Sequence, residues 1–209
     1  LKGPRLVKPF LFPHAYANTA VSLAAMEWAL KGPHENVVTR ATASGVALVE
    51  AFDLLRTGRI EVIAVCGADA LSGVALNARA AAGDPAPMGE AAAALVLEHA
   101  DTAKVRDARP LGQLLGCGLA PTADEALQAA LTQAGQTPDT LHAVYVNTAA
   151  RDAAARLLPG LSIEEPALLC GDVQGATSAL HLVLALLARP AKPVLVLTAE
   201  PGACVALIA

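Results

Sequence analysis

The sequence predicts an α/β fold built from a duplicated unit, in a chain of 209 residues. Two observations predict it. Apolar, β-branched runs alternate with helical patterns and small-residue turns along the chain. In addition, two stretches share one plan: strand, small-residue turn, helix, Arg-containing linker, strand. The first runs from Asn36 to Ala70 and the second from Pro166 to Glu200. Aligning Gly45 with Gly175 sets Thr42 opposite Asp172 and Arg59 opposite Arg189. A duplication of this kind implies that two helix N-termini approach one another.

The elements follow in order. Asn18 and Thr19 cap a helix through Leu30, closed by Gly32-Pro33. Asn36-Val37-Val38-Thr39 reads as a strand, and the small residues Ala41 to Gly45 turn it sharply. The helix that follows carries apolar residues at Val46, Val49, Phe52 and Leu55. Strand–turn–helix is how folds expose a nucleophile at a helix N-terminus, where the dipole stabilises developing negative charge. The apex here is Thr42. Ile60 to Cys66 is a short buried strand, and Ser72 to Met88, rich in Ala, Gly and Pro, reads as a loop. Ala91 to Glu98 and Leu111 to Gly118 are strands flanking a charged connector, Asp101 to Pro110. A helix over Ala123 to Ala134, a strand over Leu141 to Asn147 and a short helix over Ala149 to Leu158 come next. Ala167 to Cys170 reads as a strand, Gly171 to Gly175 as a turn, and a helix then runs to about Ala188. Val194 to Leu197 and Ala203 to Ile208 are the last strands.

Composition narrows the function. Hydrophobic residues are 55% and charged residues 16% of the chain, more apolar than an average domain. No uninterrupted apolar run approaches the ~18 residues of a membrane span, and Leu1-Lys2-Gly3-Pro4 does not read as a signal peptide. The excess apolar surface predicts a large obligate interface. A net charge of −4 without a basic stretch argues against nucleic acid. Cys66, Cys117, Cys170 and Cys204 show no metal-ligand spacing and read as buried thiols in a reducing compartment, which predicts a cytoplasmic protein.

Five motifs in order resemble the ketosynthase branch of the thiolase superfamily. Asn18-Thr19-Ala20 through Lys31-Gly32-Pro33 is similar to the helix and turn before that family's nucleophile strand. Ala41-Thr42-Ala43-Ser44-Gly45 resembles its A-C-A-S-G, with threonine for cysteine. Asp53-Leu54-Leu55-Arg56-Thr57-Gly58 resembles the end of the nucleophile helix, and Cys66-Gly67-Ala68-Asp69-Ala70 the end of the next strand. Met88-Gly89-Glu90-Ala91 with Ala94-Leu95-Val96-Leu97-Glu98 resembles the G-E-G-A…L-V-L-E strand. The resemblance implies a thiolase-like duplicated α-β-α sandwich, layered α-β-α-β-α, with a shortened N-terminal half over residues 1–120 and a C-terminal half over 121–209.

Departures from the family pattern carry the functional reading. Decarboxylative condensation in this family needs a thiolate and two histidines. A cysteine is readily activated at a helix N-terminus, whereas a threonine hydroxyl needs a strong adjacent base. The family's V-N-A-H-G-T has its counterpart in Val146-Asn147-Thr148-Ala149-Ala150, without the histidine. Its G-H-x-x-G-A matches Gly171-Asp172-Val173-Gln174-Gly175-Ala176, with Asp172 for histidine. The C-terminal glycine-rich loop is reduced to Pro201-Gly202-Ala203.

The resemblance therefore implies no catalytic residue, cofactor or metal, and a pseudo-site at Thr42, Asp172 and Asn147. It is strongest to the chain-length factor, or β subunit, of type II polyketide ketosynthases. That subunit pairs with a catalytic ketosynthase in a heterodimer, meets acyl carrier protein through the complex, and shapes the tunnel for the growing chain. More usual chain-length factors have glutamine at the apex and a longer N-terminal region. In ketosynthase dimers the strand before the nucleophile pairs across the two-fold axis, which makes Val37, Val38, Thr39 and Arg40 interface candidates, with His14 and Tyr16 as tunnel or interface candidates.

Plainer roles stand beside these. Thr42 is also a good N-cap, Asp172 a carboxylate favoured in a first helical turn, Asn147 a turn residue at a strand end, and His14 with Tyr16 an exposed loop pair. His34, His99, His142 and His181 match no catalytic position and read as surface or core-edge. Met26 and Trp28 read as core or interface. Two competing functions remain: an acyltransferase or hydrolase using Thr42, and a purely structural scaffold for a ketosynthase.

Overall fold

Residues 13, 16–83 and 86–209 are described in the structure, a computed structural model. His14 lies outside the described residues. The chain divides into two units, Leu1–Val38 and Thr39–Ala209.

In the first unit, helix α1 spans Thr19–Glu27. It stops three residues short of the predicted Leu30. Ala29 adopts a left-handed φ of 51°. The Ala29 N–H then donates to the Met26 carbonyl at 3.3 Å and the Leu30 N–H to the Ala25 carbonyl at 2.8 Å. This is a Schellman ending, which satisfies the last carbonyls ahead of Gly32-Pro33. Met26 and Trp28 are exposed, not core. The run Asn36 to Thr39 is not a strand and crosses the unit boundary. β-branching favours extended backbone, but a strand also needs a ladder partner, which this run does not have among the described residues.

The second unit begins with helix α2 (Ala43–Arg56), followed by strand β1 (Val62–Asp69). Helix α3 (Gly73–Ala81) occupies much of the predicted loop. Its alanines are strong helix formers, and Ser72 caps it by accepting the Ala75 N–H at 3.1 Å. Strand β2 (Ala91–Glu98) pairs antiparallel with β1 over its full length. Helix α4 (Ala100–Val105) forms inside the charged connector. Then come β3 (Gly116–Ala120), α5 (Ala123–Ala134), β4 (Ala143–Val146), α6 (Arg151–Leu157) and the unpredicted short strand β5 (Ser162–Glu164).

Ala167–Cys170, predicted as a strand, is instead the single-turn helix α7. Pro166 at its N-cap already holds φ at −58°, which suits a helix start. A 3-10 turn, Gln174–Ala176, leads into α8 (Thr177–Leu187), and β6 (Leu195–Glu200) and β7 (Ala203–Ile208) close the chain.

The five-stranded sheet has the order β3-β7-β6-β4-β5. β4 is parallel to both its neighbours, while β6–β7 and β7–β3 are antiparallel. Side chains alternate between two cores. Leu195, Leu197, Ala206 and Ile208 pack with Leu127 and Leu131 of α5 and Ala154 of α6. Val196, Val205 and Leu207 pack with Leu48 and Ala51 of α2, Leu182 of α8 and Val65 of β1. The central strands are apolar throughout because both of their faces are covered.

The layers of residues 39–209 are thus α5/α6, the five-stranded sheet, α2/α8 and the β1–β2 pair. The far face of β1–β2, including Val62 and Val96, is exposed. β3 packs tightly on α5 at Gly118, where a Cβ would lie 1.9 Å from the Ala126 carbonyl oxygen.

Candidate functional site

The small-residue apex has a packing cause. α2 and α8 meet at their N-terminal ends, as the internal repeat predicts. The Ala179 N–H of α8 donates to Ser44 Oγ of α2 at 3.1 Å. A Cβ on Gly45 would lie 2.6 Å from Ser178 Oγ and 2.9 Å from Val205 Cγ1. Ser178 Oγ in turn shares a buried 2.7 Å hydrogen bond with Thr198 Oγ1. Only small residues permit this approach.

The 3-10 turn and α8 together span Gln174–Leu187, fourteen residues, the length of α2, and Asp172 lies just ahead of that turn.

Thr42 is fully buried, at 0% exposure. It occupies the N-cap position of α2, but its side chain makes no cap. Its hydroxyl donates instead to Glu200 Oε1 at 2.8 Å, and its N–H to Glu200 Oε2 at 3.4 Å. Thr39 Oγ1 lies 3.3 Å from the same hydroxyl. Glu200, the last residue of β6, was not singled out from the sequence. The available signal was a lone carboxylate ending an apolar run, just before the reduced Pro201-Gly202-Ala203 loop.

Asn147 bears on the same site from behind. Its Oδ1 accepts the Ala199 N–H at 3.0 Å, and its Nδ2 donates to the Ala199 carbonyl at 2.8 Å. The same Oδ1 accepts the Ala150 N–H at 3.2 Å. It therefore caps the turn after β4 while clamping β6 beside Glu200.

Asp172 is held elsewhere. Its Oδ2 accepts from Arg79 Nη1 at 2.8 Å and from Gln174 Nε2 at 2.5 Å, and its Oδ1 accepts the Gln174 N–H at 3.0 Å. Its backbone bonds to Pro87 and Gly89 on either side of Met88. These contacts fasten the segment before β2 to the turn that leads into α8, and none of them reaches Thr42. Arg79, on a helix read as a loop, could not have been named as a partner from the sequence.

Among the interface candidates, Tyr16 and Val38 are exposed, Val37 is half-buried, and Thr39 and Arg40 lead into the apex turn. Two of the four cysteines depart from the expected burial. Cys117 and Cys204 are buried, but Cys66 and Cys170 are exposed. Burial pushes the Cys117 thiol up to about 12. The Cys204 thiol is raised by burial and, secondarily, by the Glu200 carboxylate. His181 is buried rather than at a core edge. Among the described residues no cluster of His, Cys, Asp and Glu is arranged to hold a metal, and no helix is long and apolar enough to cross a membrane.

No protein-family model matches the chain. The 3-oxoacyl-[acyl-carrier-protein] synthase 2 of Rhizobium meliloti is 26% identical over a 237-residue alignment, covering 90% of this chain and 55% of that enzyme. The chain thus spans about half the length of this curated relative. The ishigamide ketosynthase/chain length factor superposes with a TM-score of 0.82 at 25% identity, covering 99% of this chain and 65% of that one. A type II polyketide acyl-carrier protein in complex with its hexaketide-bound ketosynthase superposes with a TM-score of 0.87 at 16% identity, covering 99% and 70%. The chain is similar to ketosynthases along most of its length, and its fold is the thiolase-like fold of those structures.

Proposed function

We propose that this chain is a non-catalytic, chain-length-factor-like subunit that pairs with a catalytic β-ketoacyl synthase and shapes the tunnel for a polyketide or polyene chain. The observation that carries this reading is Thr42. A hydroxyl stands where the resemblance implies a thiol, it is fully buried, and its hydrogen goes to a carboxylate. Of the two positions at which the resemblance implies histidines, the one after Asn147 holds Ala149, and the other, Asp172, is spent on hydrogen bonds to Arg79 and Gln174. Likeness to a ketosynthase/chain length factor structure supports the same reading. The catalytic partner then docks at an interface that includes the Val37 to Arg40 segment, and acyl carrier protein is met through the complex.

Co-expression with a ketosynthase that keeps its cysteine and two histidines tests the pairing. Co-purification as a one-to-one complex is the expected result. A stable monomer or homodimer that ignores the ketosynthase sinks it.

One observation favours a second reading, an acyltransferase or hydrolase. Glu200 stands within hydrogen-bonding distance of the Thr42 hydroxyl, as a general base would. Intact-mass measurement after incubation with acyl-CoA decides it. An adduct lost in Thr42→Ala supports this second reading, and an unmodified protein supports the first.

A further inference from the structure

We propose that Glu200 is a built-in anion seated at the start of α2, and that it closes the apex position against acyl groups and other guests. Both of its oxygens are spent on one residue: Oε1 accepts the Thr42 hydroxyl at 2.8 Å and Oε2 the Thr42 N–H at 3.4 Å. Helix N-termini favour negative charge, yet the first turn of α2 contains no acidic residue. The charge arrives instead from a residue 158 positions away.

Glu200 is also held in place. It pairs with Ala203 across the β6–β7 turn, where Gly202 takes a φ of 81°. The residue before it, Ala199, is clamped by Asn147 on both its N–H and its carbonyl. The carboxylate therefore reaches the α2 terminus from a braced strand end, against a Thr42 that is fully buried. The silence of the apex comes from this occupant as well as from the loss of a thiol.

This inference rests on the non-catalytic reading of Thr42, but its test uses no ketosynthase, so either can fail without the other. Thr42→Cys supplies an alkylatable thiol at the apex. The full chain carrying Thr42→Cys alone, with Glu200→Ala or with Glu200→Gln is treated with iodoacetamide, and each cysteine is followed by peptide mass. Exposed Cys66 and Cys170 react in all three proteins, while buried Cys117 reports unfolding. The apex thiol is expected to react slowly beside Glu200. Glu200→Ala removes both the cover and a like charge that opposes the thiolate, so the rate rises about tenfold or more. Glu200→Gln removes only the charge and falls between. If Cys117 also reacts in the alanine protein, that variant has unfolded and the glutamine protein decides. Equal apex rates with and without the carboxylate in folded proteins overturn the proposal.

Discussion

Acidification should destabilise this protein through His181, and the size of the effect follows from its surroundings. The side chain lies on α8 at 1% exposure, and its Nδ1 has no hydrogen-bond partner. Burial lowers its pKa from 6.5 to about 4, against a smaller opposing pull from the Glu165 carboxylate. Between those values the unfolded chain binds a proton that the folded chain refuses. Stability therefore rises with pH across that window and is lost as pH falls.

The native state should lose about 1.4 kcal/mol by pH 5.5 and about 2.5 kcal/mol by pH 4.5, relative to pH 7.5. Other groups titrate over the same range, so the comparison is with His181→Leu, which has no proton to accept. Urea denaturation of both proteins at pH 7.5, 5.5 and 4.5 gives the difference directly. A stability gap between them that stays constant across these pH values would refute the reasoning, because it would mean that His181 protonates alike folded and unfolded.

Three further perturbations follow from the packing. Gly118→Ala drives a methyl group onto the Ala126 carbonyl of α5 and should cost about 3 kcal/mol or more, read as a lower urea midpoint. Asn147→Ala strips both partners from the backbone of buried Ala199; it should cost about 2–3 kcal/mol by the same measurement. Asp172→Ala breaks a partly exposed ion pair with Arg79 and should cost only about 1 kcal/mol. Its signature is faster hydrogen exchange at the Gln174 amide, with α2 unchanged.

The sequence by itself determined the layered α/β plan, because hydrophobic periodicity is local and survives without knowledge of neighbours. Val194 to Leu197 reads as a strand wherever it packs, and the small residues from Ala41 to Gly45 announce a sharp turn. The sequence also pointed to the apex at Thr42 and to the meeting of two helix starts. Where a local signal had two meanings, the reading failed. The alanines of α3 suit a loop or a helix until Ser72 caps them, and Ala167 to Cys170 became a helical turn after Pro166. Asn36 to Thr39 has strand composition but no ladder partner among the described residues, and the partner expected for it belongs to another subunit.

The tertiary structure alone decided what surrounds Thr42. Its carboxylate partner is 158 residues away in sequence, and no periodicity connects the two. Asp172, which the repeat sets opposite Thr42, bonds to Arg79 and Gln174 instead. Side-chain partnership depends on backbone positions set by the whole core. The fold was therefore legible from local patterns, and the occupant of its central site was not.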